Sequence, residues 1–408
     1  MDAGDPIVVL RQRALSYPPA RYPVQHATAQ FHLGLTLTQA GHVEEADSAL
    51  VTAVELFDPE LLPAEHAAST NALGVARRAR GRLDEAAEAF HRALGGFERA
   101  GRALERAAAL HNLGLVEAQR GRPGDAARCF EEARSAFAEV GHPANAAAAA
   151  RELGAALLAS GDLERAATTL ADALDRAERA GDMAGAGAAA NTLGLAHLAR
   201  DRPREAAEAF RRSAAAHPRR LRREGYAVAK ANLALAWRWA DEPSRALLAA
   251  GQALAVPDAP RPAREVALEA AAGAEPDAGA LAVVMVVEEP DEWPGTVRDE
   301  LNRWLDLDEA RRAAEAAAWV HAVLDHGAPT VDLVAVWFAI VLELPPSAME
   351  ALLGALLRAV SDRAGADQQV FRRASGRAMA TFAAPQLLRL QDTVERLAEE
   401  AGVAGPWR

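Results

Sequence analysis

The chain has 408 residues, half of them apolar, with a net charge of −12 and a single cysteine. That length leaves room for two or three domains with substantial cores. The one cysteine, Cys129, excludes a disulfide framework, and the acidic balance argues against a nucleic-acid backbone as the main partner.

The first twenty residues lack the basic start and long apolar core of a signal peptide. They predict one short capping helix that ends at Pro18–Pro19.

From residue 21 a pattern recurs every 40 residues. A Leu–Gly pair falls at Leu33–Gly34, Leu73–Gly74, Leu113–Gly114, Leu153–Gly154 and Leu193–Gly194, with a sixth copy at Leu233–Ala234. Each is followed by a turn at Gly41, Gly81, Gly121, Gly161, Asp201 or Asp241. An alanine comes next (Ala46, Ala86, Ala126, Ala166, Ala206, Ala246), then a large residue at i+4 (Leu50, Phe90, Phe130, Leu170, Phe210). Positions i and i+4 share a helix face, so each copy reads as two helices around a tight turn. The small residues mark close approach: Gly114 is expected to touch Ala126 across the pair, with the large residues filling the gap. Six copies in register predict a helical repeat array over residues 21–255.

This motif resembles the tetratricopeptide repeat, most closely in His111 to Ala133, HNLGLVEAQRGRPGDAARCFEEA. The period exceeds the common 34 residues. The extra length extends the second helix to a further turn at Gly101, Gly141 or Gly181, as in kinesin light chains and the sensor arms of bacterial multidomain regulators. The aromatic usually found three before the Leu is replaced by Gln30, Thr70, Leu110, Ala150, Ala190 and Lys230. The resemblance implies a right-handed superhelix of antiparallel helix pairs whose first helices line a concave, ligand-binding face. Carried over residue by residue, the inner row of that face is Phe31, Asn71, His111, Arg151, Asn191 and Ala231. Leu35, Val75, Leu115, Ala155, Leu195 and Leu235 run beside it. Arg78, Arg238 and Trp239 fall on the outer positions. Amide and guanidinium groups at equal spacing suit the backbone and carboxylates of a bound peptide. The asparagine–lysine set that clamps chaperone tails in other such repeats is missing.

Between the fifth and sixth copies, Arg211, Arg212, Arg219, Arg220, Arg222 and Arg223 cluster. Their expected partner is the acidic segment Glu288, Glu289, Asp291, Glu292, Asp299, Glu300, Asp306, Asp308 and Glu309, in preference to nucleic acid. Nearly all the charge deficit falls after residue 253, where 14 basic side chains face 25 acidic ones.

Pro257, Pro260 and Pro262 end the register. Residues 256–408, which hold Trp293, Trp304, Trp319, Trp337 and Trp407, match no family pattern. They predict helices over 262–272, 296–305, 308–325, 330–343, 346–361, 366–382 and 385–401. Residues 280–287, ALAVVMVV, could be strand or buried helix, and helix is favoured because a lone strand lacks a partner. The longest apolar run, Leu333–Leu342, is too short to span a bilayer. His321, Asp325 and His326 supply too few ligands for a metal site.

The sequence therefore reads as an all-α cytoplasmic protein: a capping segment (1–20), six tetratricopeptide-like repeats (21–255) and a helical C-terminal domain (256–408). No cofactor or metal is implied, and no nucleophile elbow, zinc-protease motif, phosphate loop or paired CxxC occurs. The expected role is non-enzymatic recognition of a protein or peptide on the concave face, as an adaptor or sensor in a bacterial regulatory or biosynthetic pathway. A homodimer is compatible with this, and a membrane or nucleic-acid partner is not. The alternative is an enzyme or small-molecule binder whose pocket combines His111, Arg151 and Arg238 with Trp293 and Trp304.

Overall fold

A computed structural model describes residues 5–219, 221–271, 280–287, 290–325 and 330–401. Arg220, Glu288, Glu289, His326 and Trp407 lie outside the described residues. The chain forms two compact units, Met1–Arg200 and Asp201–Arg408. No strand occurs among the described residues.

The first unit begins with α1 (Pro6–Ser16), which packs on α2 (Pro23–Gln39). There follow α3 (Val43–Leu56), α4 (Pro63–Ala79), α5 (Leu83–Arg99), α6 (Ala103–Gln119), α7 (Pro123–Glu139), α8 (Pro143–Ser160), α9 (Leu163–Ala180) and α10 (Met183–Ala199). Prolines open α2, α4, α7 and α8, where a missing N–H leaves no helical bond unmade. The turns need left-handed backbone: Gly121 has φ 72° and Gly161 φ 86°.

Each helix packs on the next, and α2 also touches α4, as α4 does α6 and α8 does α10. The core clusters around Leu50, Phe90, Phe97, Phe137 and Phe57 are small, and each joins adjacent helices. Leu33, Leu37 and Leu50 of the first pair enclose Leu73 of the second. Phe90 of the second packs with Leu113 and Val116 of the third. This is the one-dimensional packing of a repeat array.

The nearest neighbour of the repeat glycine in the first four repeats is the large residue sixteen places on, rather than the alanine twelve places on. A Cβ built on Gly74 would lie 2.8 Å from the Phe90 ring, and one on Gly114 2.7 Å from the Phe130 ring. Leucine fills the same place opposite Gly34 and Gly154. The glycine is thus a socket for a ring or a branched side chain, and the alanine is buried elsewhere in the interface.

A second register runs along the surface. Arg80 lies 3.7 Å from Glu44, Arg120 2.7 Å from Asp84 and Arg200 2.6 Å from Glu164. Each pair ties the end of a first helix to the start of the preceding second helix. At the equivalent junction between α7 and α8 in this unit, Ser160 and Gly124 replace both partners together.

The second unit comprises α11 (Pro203–Ala216), α12 (Arg223–Trp239), α13 (Pro243–Leu254), α14 (Arg261–Ala271), α15 (Ala280–Val287), α16 (Trp293–Asp306), α17 (Glu309–Asp325), α18 (Thr330–Leu342), α19 (Pro346–Ser361), α20 (Gly365–Met379) and α21 (Ala384–Glu400). Residues 280–287 are therefore helix. The helices α2 to α13 are the twelve that the period predicts, 14 to 18 residues long except α13, which has 12.

A single large core holds α15 to α21 together. Trp304, Trp319 and Trp337 are fully buried in it, with the Trp319 and Trp337 rings stacked at 5.6 Å and Phe371 set edge-on to Trp319. The apolar helix α18 lies at its centre, contributing Leu333, Val334, Trp337, Phe338, Ile340 and Val341. Trp293 and Trp304, expected at a pocket, belong to this core instead, and the Trp304 indole donates to Glu300 at 3.0 Å.

Candidate functional site on the first helices

Helices are amphipathic here because their apolar stripe packs into the array, which leaves the opposite stripe of each first helix free for polar groups. In the first unit, Asn71 and Arg78 sit on α4, His111 on α6, Arg151 on α8 and Asn191 on α10, all half-buried. Leu35 and Leu195, of the aliphatic row, are 36% and 37% exposed.

Polar contacts run between two of these helices and within a third. The Asn112 amide donates to Asn71 Oδ1 at 3.4 Å, joining α6 to α4. Arg151 Nη2 donates to Glu152 Oε1 at 2.8 Å on α8. Between them sits His111, its ring 5.5 Å from that of Phe130 and set edge-on. Burial holds the His111 imidazole below its ordinary pKa. Glu152 opposes that shift, while Arg151 and Arg78 reinforce it. His111 is therefore neutral at pH 7.

Two groups are left over. His111 Nε2 and Arg78 Nε are both buried and have no hydrogen-bond partner among the described residues. Arg78 also has no ion pair there, although its neighbours Arg77 and Arg80 both reach Asp47. Unpaired buried donors cost stability and call for an explanation.

Sequence reasoning missed Asn112 and Glu152. Both lie two before the repeat glycine, one place from the inner row, in a column that is also polar at Thr192 and Asn232. That column was visible and carried the signal.

Arg238 and Trp239 belong to the second unit. Arg238 Nη1 donates to the Ala270 carbonyl at 3.1 Å, closing the end of α14, and Trp239 is 55% exposed.

A family model described as the tetratricopeptide repeat matches residues 65–139, which span α4 to α7. The chain carries tetratricopeptide repeats. Among solved structures, the apo form of RapI is 11% identical, covering 86% of this chain and 90% of that one with a TM-score of 0.51. A putative kinesin light chain with nearly identical repeats, from Podosopora anserina, is 23% identical over 49% of this chain and 99% of that one, with a TM-score of 0.43. BtubC from P. vanneervenii is 20% identical over 52% and 86%, with a TM-score of 0.44. Curated protein sequences give no match. The RapI likeness concerns fold alone.

The tetratricopeptide pairs do not carry all the polar chemistry. The arginine cluster meets the acidic segment within the second unit, as charge predicts. Arg211 Nη2 donates to Glu292 Oε2 at 2.7 Å, and Arg219 pairs with Asp306. Lys230, the sole lysine of the chain, lies 2.6 Å from Asp299. Helix α16 and the residue before it thus supply the acids, and α11 to α13 with their loops supply the bases. His321 Nδ1 contacts Arg363 at 2.9 Å, and no metal-binding group of side chains occurs among the described residues. No helix among them is long and apolar enough to cross a membrane.

Proposed function

We propose that the chain is a non-enzymatic adaptor or sensor of a bacterial cytoplasm, and that its first helices bind a protein or peptide segment. The observation that supports this best is the unpaired Arg78 beside the orphaned His111 Nε2. A carboxylate or carbonyl of the partner would satisfy both, and Asn71, Asn191 and Arg151 would bond its backbone. Leu115 and Leu195 would take apolar side chains. A protein that keeps two buried polar atoms unpaired gains most when a partner arrives with matching hydrogen-bonding groups.

The test compares wild type with Arg78→Ala. Arg78 has no ion pair among the described residues, so the variant is expected to fold. A charged hydrogen bond is worth about 1.5–3 kcal/mol, so affinity for a partner captured from native lysate falls about ten- to a hundredfold. Capture of the same partners at unchanged affinity by Arg78→Ala rules the face out.

A further inference from the structure

The second unit contains a cleft of about 980 Å³ between α11 to α13 on one side and α15, α16 and α18 on the other. Its size lies at the upper end of sites that hold a drug-sized ligand, about 300–1,000 Å³. It owes nothing to the face described above, and none of the residues assigned to that face line it.

Its wall is largely apolar. Leu233 of α12, Leu248 of α13, Ile340 of α18 and Leu344 just beyond it all line the cleft. The charges around it are mostly matched in pairs: Arg211 with Glu292, Lys230 with Asp299, Arg298 with Glu343 at 2.9 Å. Tyr226 and Arg219, among the lining residues, keep buried polar atoms without a hydrogen bond of ordinary geometry among the described residues. Tyr226 is 1% exposed; Arg219 lies close enough to act on its hydroxyl as a hydrogen-bond donor, but no hydrogen bond of ordinary geometry reaches that oxygen among the described residues. Arg219 is 9% exposed; its Nη2 donates to the Ala255 carbonyl at 2.9 Å and to Asp306, while its Nη1 is orphaned. The Arg219 guanidinium lies 5.9 Å from the Tyr226 ring centroid, so the two orphans belong to one corner.

We propose that this cleft binds an amphiphilic carboxylate, its oxygens taken by Arg219 Nη1 and the Tyr226 hydroxyl and its hydrocarbon body laid along Leu233, Leu248, Ile340 and Leu344. The Arg219 guanidinium can only donate and the Tyr226 hydroxyl can donate, so together they can hold an acceptor. Burial pushes the Tyr226 phenol well above its ordinary range, so it remains a donor at any physiological pH. Arg219 is already balanced by Asp306 and Lys230 by Asp299. One added negative charge beside these pairs costs less than two, so the corner takes a carboxylate in preference to a phosphate dianion. The apolar wall selects a hydrocarbon chain over a sugar or a nucleoside.

The test titrates the full chain with sodium dodecanoate below its micelle concentration, using dodecyltrimethylammonium as the headgroup control and octanoate and hexadecanoate as length controls. Calorimetry should show saturable one-to-one binding of dodecanoate and none of the cation. Tyr226→Phe and Arg219→Lys each remove one orphaned donor while keeping the ring or the pairing charge, and each should weaken binding about five- to tenfold. Tyr226→Phe should also leave the ligand-free melting temperature unchanged or raised, because the lost hydroxyl made no hydrogen bond of ordinary geometry. The inference is overturned if none of the three carboxylates binds, if the cation binds as well, or if Tyr226→Phe keeps full affinity. It is equally overturned if Tyr226→Phe melts several degrees lower without ligand, since the hydroxyl would then be satisfied by water in the empty cleft.

Discussion

Gly114→Ala is a test of sign. By helix propensity alone, alanine in the interior of α6 should stabilise by about 0.5–1 kcal/mol. Packing opposes this. The new Cβ would stand 2.7, 2.8 and 2.9 Å from three carbons of the Phe130 ring, against an optimum of about 3.5–4.0 Å. The ring must retreat by roughly 1 Å, and Phe130 is only 1% exposed, so it has nowhere to go without moving its neighbours. Overpacking of this kind costs about 1–3 kcal/mol, which leaves a net loss of about 1 kcal/mol. Gly95→Ala on α5 is the internal control, since a Cβ there meets nothing closer than the Arg99 guanidinium at 3.9 Å. It should gain the full propensity term. Urea unfolding followed by far-ultraviolet circular dichroism, with the slope of each transition checked for equality, should place the two variants on opposite sides of wild type, about 2 kcal/mol apart. If Gly114→Ala is as stabilising as Gly95→Ala, the socket argument is wrong for every repeat.

Asp241 holds φ 59° where the first four repeats have glycine, so Asp241→Gly should stabilise by about 0.5–1 kcal/mol in the same urea assay. Asp299→Ala leaves Lys230 buried without its counter-charge and should cost about 3 kcal/mol; Lys230→Met in the same chain should recover most of it by thermal melting. The His111 imidazole has its pKa lowered by burial, so the unfolded chain binds more protons than the folded one below about pH 6.5. Stability therefore falls as pH drops through that value, and His111→Asn should flatten the melting-temperature profile between pH 7.5 and 5.5. His66, lowered for the same reason, leaves part of the slope in place.

The sequence carried the array because its information is local and repeated. The Leu–Gly pair, the turn residue and the large residue at fixed offsets define each pair of helices, and copies in register suppress error. The helices after Ala255 were also readable, since prolines and apolar periods bound each one. The partner of Gly114 was not readable from spacing alone. Two helices that cross at an angle bring residue i beside i+16 or i+12 depending on how the ridges interlock. At the candidate site, the row Asn71, His111, Arg151, Asn191 followed from the period, but the state of each side chain did not. That Arg78 stays unpaired while Arg77 and Arg80 share Asp47 is decided by side-chain direction on adjacent helices. Arg238 bonding Ala270, and Arg219 with Tyr226 in one corner, depend on helices distant in sequence. The tryptophans misled because a buried indole and a ligand-facing indole look alike in a sequence; Trp293 and Trp304 are core.

A chain with one lysine has an unusual chemical transparency. Apart from a terminal amine, only Lys230 can react with an amine-directed reagent, and its Nζ is held at 2.6 Å from Asp299 on α16 and 5.6 Å from the Tyr226 ring centroid. Acylation there requires the Lys230–Asp299 pair to break for a moment within the cleft, so the labelling rate of the unmodified protein is a clock for that one event, measured without mutation or isotope exchange. Whatever fills or braces this part of the second unit slows the clock, and whatever loosens it speeds it up.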